Sequence, residues 1–227
     1  MSPASRWSWG DPVDSLRDAV AAGRIVAIPT ESSYGLAVDP WSKVGVKRIY
    51  QLKRREDAKP LPVVVSNRRQ AEALGASFDD RRLQCLAERW PGPLSLLVPV
   101  SRDLPACAGT GRLAVRVPGH ERLVNLLAQL GGALTATSAN RSGQPGLTDP
   151  TEVAALLADS AGSIVVDDGR LPGGKPSTLV GVGESGIEVL RPGRIGSEEL
   201  GALLGADPKE SFSAASVEIF ADGSCGD

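Results

Sequence analysis

The chain has 227 residues, 41% hydrophobic and 23% charged, which excludes disorder as the starting expectation. No apolar run approaches the roughly 18 residues of a membrane span, and aromatics at 4% argue against a base-stacking platform. The net charge of −2 is unevenly divided: residues 197–227 hold seven acids against Lys209, so the remaining body carries +4 and suits an anionic substrate.

Val13, Leu16 and Val20 predict a helix over Asp11 to Ala22 that stops at Gly23. "RIVAIP" reads as a buried strand, and "TESSYGLAVDP" as a polar loop entering a second extended piece. "SKVGVKRIYQLKRRED" returns to helical spacing, with Val46, Ile49, Tyr50 and Leu52 on one face. "KPLPVVVS" is a strand, and Ala71 to Arg89 is helical with an interruption at Gly75. "WPGPLSLLVPV" is a strand behind a rigid Pro-Gly-Pro turn. "GRLAVRVP" alternates, placing Leu113, Val115 and Val117 on one face and Ala114 and Arg116 on the other.

Glu121 to Leu130 reads as a helix closed by Gly131 and Gly132, and "GALTATSANRSG" as a strand running into a small polar loop. Asp149 is a good cap for a helix that begins at Pro150, with Glu152 three residues after it. "SIVVDDG", "STLVGVG" and "IEVLRPG" supply three strands, the last two joined by a Glu-Ser-Gly turn. Helices and strands alternate loosely, which predicts a layered α/β domain with a mixed sheet over residues 11–205. Residues 206–227 have little periodicity and read as an acidic, loosely docked tail.

Three dispersed cysteines and no C-x-x-C argue for a reducing compartment and against a thiolate metal site. His120 is the only histidine, which excludes a His-rich zinc site, and its place before a helix points to a surface role. The first residues lack a secretory pattern, so a cytoplasmic location without membrane contact is expected.

From Gly169 to Ser177 the chain nearly matches the phosphate-binding pattern G-x-x-x-x-G-K-[ST], one residue out of step. Pro176 takes the hydroxyl's place and a β-branched run follows, so the helix that such a loop needs is missing. Lys47, Arg48, Lys53, Arg54, Arg55 and Lys59 form a cationic run suited to phosphate, although a solvated helix end gives the same pattern. Arg116, between valines, must face either solvent or an anion in a cleft. "TSAN" and "PTESSY" are by themselves ordinary turns.

Taken in order, "PTESSYGLAVDP", "KRREDAKPL", "WPGPLSLLVP", "LAVRVP", "TSANRSGQP", "PST" and "LRPG" closely resemble the YrdC/TsaC family of L-threonylcarbamoyladenylate synthases. The resemblance implies a twisted mixed sheet with flanking helices around a concave, positively charged cavity. It implies a nucleotidyltransferase that joins L-threonine, bicarbonate and ATP into threonylcarbamoyl-AMP and pyrophosphate, with Mg2+ entering on ATP and no metal cage in the protein. The product would pass to the machinery that transfers threonylcarbamoyl to tRNA.

By the same resemblance Thr30, Arg116 and Ser177 hold threonine. Lys53, Arg55, Ser138 and Asn140 form the catalytic set around ATP and the carbamate, with Lys59 and Arg191 near the phosphates. Ser32 replaces the family's second threonine and keeps its hydroxyl; Val64 stands where some members carry a histidine. Arg112 replaces a small hydroxyl residue, and Lys175 offers an extra cation. The chain resembles the short form, without an added C-terminal domain. Two other readings stay open: a weakly RNA-binding, ribosome-associated module using the same cavity, and a carbamoyl-adenylate enzyme with another acceptor.

Overall fold

The computed structural model describes residues 4–54, 59–183, 186–204 and 212–213. In chain order the elements are β1 (Ser5–Ser8), α1 (Asp14–Ala21), β2 (Val26–Pro29), β3 (Tyr34–Ala37), α2 (Lys43–Lys53), β4 (Val63–Val64), α3 (Arg68–Ala73), α4 (Arg81–Ala87), β5 (Leu94–Pro99) and β6 (Arg112–Arg116). They continue with α5 (Glu121–Leu130), β7 (Leu134–Thr135), β8 (Thr137–Ser138), α6 (Pro150–Leu156), β9 (Ile164–Asp167), β10 (Thr178–Gly183), β11 (Gly186–Arg191), α7 (Ser197–Leu204) and β12 (Phe212–Ser213). Two mixed sheets result, in strand orders β1-β9-β2-β3-β8 and β12-β11-β10-β5-β6-β4-β7.

Alternation along single strands explains how the layers pack. On β2, Ala27 joins Val46, Ile49 and Tyr50 of α2 and Val153 of α6, while Val26 and Ile28 join Leu16 of α1 and Leu123 and Leu127 of α5. Both faces are covered, so the stretch after Arg24, "IVAIP", is apolar throughout. On β6, Leu113 and Val115 enter the core beneath α3, α4 and α7, whereas Ala114 lies on the other face with Leu97 and Leu179. Burying each large aliphatic side chain contributes about 1.5–3 kcal/mol.

"GALTATSANRSG" is one extended stretch in sequence, yet its two halves serve different sheets. Leu134 and Thr135 pair antiparallel with β4, and Thr137 and Ser138 pair antiparallel with β3. Fully buried Thr135 stitches the layers together: its N–H donates to the Val38 carbonyl at 2.9 Å, and its Oγ1 accepts from Val38 N–H at 3.0 Å. Ala136, between the halves, donates its N–H to the Pro62 carbonyl at 2.8 Å.

Helix ends follow the local chemistry. Ser42 Oγ accepts from Gly45 N–H at 3.1 Å to start α2, and Asp149 accepts from Thr151 N–H at 2.8 Å to start α6. Gly131, at φ 75°, closes α5. The helix expected from Ala71 to Arg89 is two helices: Gly75, at φ 87°, follows α3, and Asp80 caps α4 by accepting from Arg82 N–H at 2.8 Å.

Two elements lie beyond the periodicity argument. β1, upstream of the expected start at residue 11, pairs parallel with β9. β12, within the expected tail, pairs parallel with β11. The rest of that tail, together with residue 205 and turn residues 184–185, lies outside the described residues. Among the described residues no helix is long and apolar enough to cross a membrane.

Candidate active site

Val46, Ile49, Tyr50 and Lys53 recur at helical spacing on α2, and all four are buried. The inward stripe ends on a lysine. Leu52, expected on that face, is only partly buried, because Lys53 takes the position one turn beyond Ile49 and Tyr50. Lys53 is 0% exposed, and its ammonium donates to the Ser138 carbonyl at 2.8 Å and to Asn140 Oδ1 at 2.5 Å. Ser138 Oγ donates to the same Oδ1 at 2.8 Å, and Asn140 Nδ2 donates to the Gln144 carbonyl.

Strand β8 fixes the other half of this cluster. Ser138 pairs with Gly35, and Ala139 N–H donates to the Tyr34 carbonyl at 2.8 Å, so Ser138 and Asn140 flank a buried, backbone-anchored alanine. α2 stops at Arg54, which adopts a left-handed conformation at φ 52° and turns the chain away from the helix axis. Arg55 lies outside the described residues.

Arg116 emerges from β6 on the same face as Ala114, opposite the Leu113 and Val115 core. It does not reach into open solvent. Its Nη1 donates to both oxygens of Glu31, at 2.7 and 2.6 Å, and Gly119 N–H donates to Glu31 Oε1 at 2.6 Å. The two side chains are 12% and 14% exposed. Burial pushes the Glu31 carboxyl up, but the Arg116 charge and the Gly119 bond outweigh it and hold the group below its ordinary value.

Thr30 is buried, and its Oγ1 donates to the Ser33 carbonyl at 2.7 Å, closing a tight loop between β2 and β3. This loop reaches Arg116, the Gly173 segment and Gly146. Glu31 holds Arg116, and the Ser32 carbonyl accepts from Gly173 N–H at 2.9 Å. Ser33 lies beside Gly146, where a Cβ would stand 2.8 Å from Ser33 Oγ and 3.5 Å from the Ser138 side chain.

Ser177 belongs to a second chain of contacts. Arg191 Nη2 donates to the Ser177 carbonyl at 3.0 Å and to its Oγ at 3.1 Å, while Ser177 Oγ and Ser95 Oγ are 2.9 Å apart. β10 begins at Thr178, so no helix follows Lys175, and the P-loop reading fails on geometry as well as on sequence. Gly193 is compulsory here: a Cβ would lie 2.4–2.5 Å from backbone atoms of Pro176, Ser177 and Thr178. Tyr50 O–H donates to the Lys59 carbonyl at 2.6 Å, which fixes the Lys59 backbone. Arg112 lines a separate cavity of about 410 Å³ with Asp80, Arg82, Leu97 and Pro99.

Sequence reasoning missed the partners. An arginine in an alternating strand signals that an anion is needed, but nothing in the string says that Glu31, 85 positions upstream, supplies it. The surface role expected of His120 is likewise replaced by a structural one. Its Nδ1 accepts from Leu123 N–H at 3.2 Å and caps α5, and its Nε2 meets Asp168 Oδ2 at 2.9 Å. Trp9 Nε1–H donates to the other Asp168 oxygen at 2.5 Å. Tyr34 O–H, accepting from Asp168 N–H and donating to the Gly169 carbonyl, ties this latch to β3. Cys107 is no nucleophile, since burial and the neighbouring Asp103 push its thiol up to about 11.

Comparison with known proteins bears on the same span. Residues 18–193 match the Sua5/YciO/YrdC family model, described as telomere recombination. A threonylcarbamoyl-AMP synthase of Pyrococcus abyssi is 34% identical over 191 residues, covering 82% of this chain and 55% of that protein. One from Chromohalobacter salexigens is 37% identical over 175 residues, covering 74% of this chain and 93% of that protein. The chain thus spans about half of the first relative and nearly all of the second. The crystal structure of P. abyssi Sua5 complexed with L-threonine superimposes with a TM-score of 0.81 at 30% identity, covering 96% of this chain and 65% of that one. The chain belongs to the Sua5/YciO/YrdC family.

Proposed function

We propose that this chain is an L-threonylcarbamoyladenylate synthase, which joins L-threonine, bicarbonate and ATP into threonylcarbamoyl-AMP and pyrophosphate. The observation that carries the reading is the buried Lys53 ammonium held against Ser138 and Asn140. A buried lysine whose Nζ donates to a backbone carbonyl and a carboxamide, beside a hydroxyl, suits the stabilisation of phosphate oxygens better than it suits structure. The likeness to P. abyssi Sua5, whose crystal structure was solved with L-threonine, supports threonine as the amino-acid substrate.

The chemistry is dominated by charge. A carbamate oxygen on threonine bonds to the α-phosphorus of ATP as the bond from that phosphorus to the bridging oxygen breaks, and pyrophosphate leaves. Both partners are anionic, so fixed cations must offset their repulsion and hold them in line. Lys53 serves at the reacting phosphate with Ser138 and Asn140. Arg55, Lys59 and Arg191 take the outgoing phosphates, and Thr30, Arg116 and Ser177 take threonine. Magnesium arrives on the ATP phosphates; the ammonium, hydroxyl and carboxamide around Lys53 supply no carboxylate to hold the ion independently. The product is handed, in the cytoplasm, to the machinery that transfers threonylcarbamoyl to tRNA.

The test is pyrophosphate release measured with each substrate omitted in turn. Release should require both threonine and bicarbonate, and Lys53→Ala or Arg55→Ala should reduce it by at least about 100-fold. Release that continues without threonine would remove the assignment.

A further inference from the structure

Four arginines from three separate segments converge on a cavity of about 460 Å³ that includes none of the substrate contacts named above. Arg24 precedes β2, Arg48 and Arg54 lie on α2 and its C-terminal cap, and Arg141 follows Asn140. Asp159 is the one acid among the described lining residues, so four guanidiniums against one carboxylate leave +3. No carboxylate among the described residues forms an ion pair with any of the four. Arg48 Nη1 donates to the Ala22 and Gly23 carbonyls at 3.1 and 2.6 Å, which holds the side chain in place and leaves its charge uncancelled. Arg24 lies over Gly162, where a Cβ would stand 3.0–3.2 Å from its Cδ, Nε and Cζ. Ser163, also in the lining, is 1% exposed, and its Oγ has no hydrogen-bond partner among the described residues. A buried hydroxyl left unpaired is costly, and an anion seated against Ser163 would offer it an acceptor.

This lining selects among anions. A single carboxylate cancels only one of its charges, whereas a phosphate group carries about −1.5 to −2 near neutral pH and joined phosphates carry more. All four cations are arginines, whose planar forks meet phosphate oxygens in pairs, as a lysine ammonium does not. The volume is that of a small-molecule site. We propose that the cavity is a second anion site, separate from the one around Lys53, that takes a compact polyphosphate of which inorganic pyrophosphate is the simplest. It adjoins the catalytic cluster along two stretches of chain. Arg54 and Arg141 directly follow Lys53 and Asn140, and Ser142 N–H donates to the Lys53 carbonyl at 3.2 Å. The inference stands on the cavity itself and does not require the synthase reading.

Titration calorimetry on the full chain, with inorganic pyrophosphate in magnesium-free buffer, compares wild type, the double variant Arg24→Gln/Arg141→Gln and Lys53→Met. Wild type should show a binding event that K53M retains and that R24Q/R141Q weakens at least about 100-fold, since two hydrogen bonds from charged donors are lost. Threonine-dependent pyrophosphate release by R24Q/R141Q should stay within about twofold of wild type, as expected of separate sites. Identical isotherms for wild type and R24Q/R141Q would overturn the proposal. So would binding lost only in K53M, which would place all of it around Lys53, or turnover lost together with the event, which would make these arginines part of the active site. A short single-stranded RNA is the second probe, and it should leave the pyrophosphate isotherm of K53M unchanged. RNA that displaces pyrophosphate there would make backbone phosphodiesters the ligand and overturn the polyphosphate assignment. Should the double variant unfold, R141Q alone takes its place, with about a tenfold weakening expected and an unchanged affinity counting against the idea.

Discussion

Replacing Lys53 with methionine separates what the buried ammonium does for stability from what it does for chemistry. The Lys53 side chain is fully buried, and methionine keeps most of its apolar stem in place. The loss includes two charge-assisted hydrogen bonds, to the Ser138 carbonyl and to Asn140 Oδ1, worth roughly 1.5–3 kcal/mol each. Against this, desolvating an ammonium costs several kcal/mol, and methionine avoids that cost. The two nearly cancel, so K53M should unfold within about 2 kcal/mol of wild type, a shift of no more than about 8 °C for a chain of this size. Threonine-dependent pyrophosphate release should nevertheless fall at least about 100-fold, because no other group replaces the charge at the reacting phosphate. Paired urea titrations and pyrophosphate assays on the two proteins decide it. A variant destabilised by more than about 4 kcal/mol, or one retaining a tenth of wild-type turnover, would refute the reasoning.

Gly193→Ala should disrupt the Ser177 segment, since its Cβ would lie 2.4–2.5 Å from backbone that cannot retreat as a side-chain tip can. The expected result is a chain that still folds but has a much raised threonine KM, and a KM equal to wild type would count against Ser177 as a ligand contact. Acid should destabilise the protein through Glu31 and Asp168, whose carboxyls are both held below their ordinary values. A depressed folded value means that this stability is fully present above the unfolded carboxylate range and is lost as pH falls through the folded values. Urea midpoints should therefore be flat near neutrality and drop below about pH 4, with a shallower drop in E31Q; overlapping acid limbs would exclude Glu31 as a contributor.

Much of the fold is legible wherever one local rule acts alone. The helix Glu121–Leu130 has its expected bounds because a cap and a glycine stop coincide with a strong apolar stripe. Arg116 and Ala114 share a face of β6 because strand periodicity permits nothing else. Reading fails where the outcome depends on distant chain. "GALTATSANRSG" carries no mark of its division between sheets, since the division is made by β3 and β4 arriving from elsewhere. Leu52 is the better core residue on hydropathy alone, yet Lys53 points inward, because Ser138 and Asn140 wait there to receive its charge. Glu31 follows Thr30 in plain view, but its role depends on a strand that begins 81 residues later.

The shared stretch Leu134–Ser138 has a mechanical consequence. Many enzymes admit their substrates by swinging two layers apart about a flexible joint. Here the joint would have to pass through residues that are hydrogen-bonded into both sheets within five positions, immediately before Ser138 and Asn140. Any rotation of one layer against the other would strain the pairing of Leu134 and Thr135 with β4 or that of Thr137 and Ser138 with β3. Ligand traffic must therefore be handled by the connecting loops, with the two sheets acting as a single rigid frame throughout turnover.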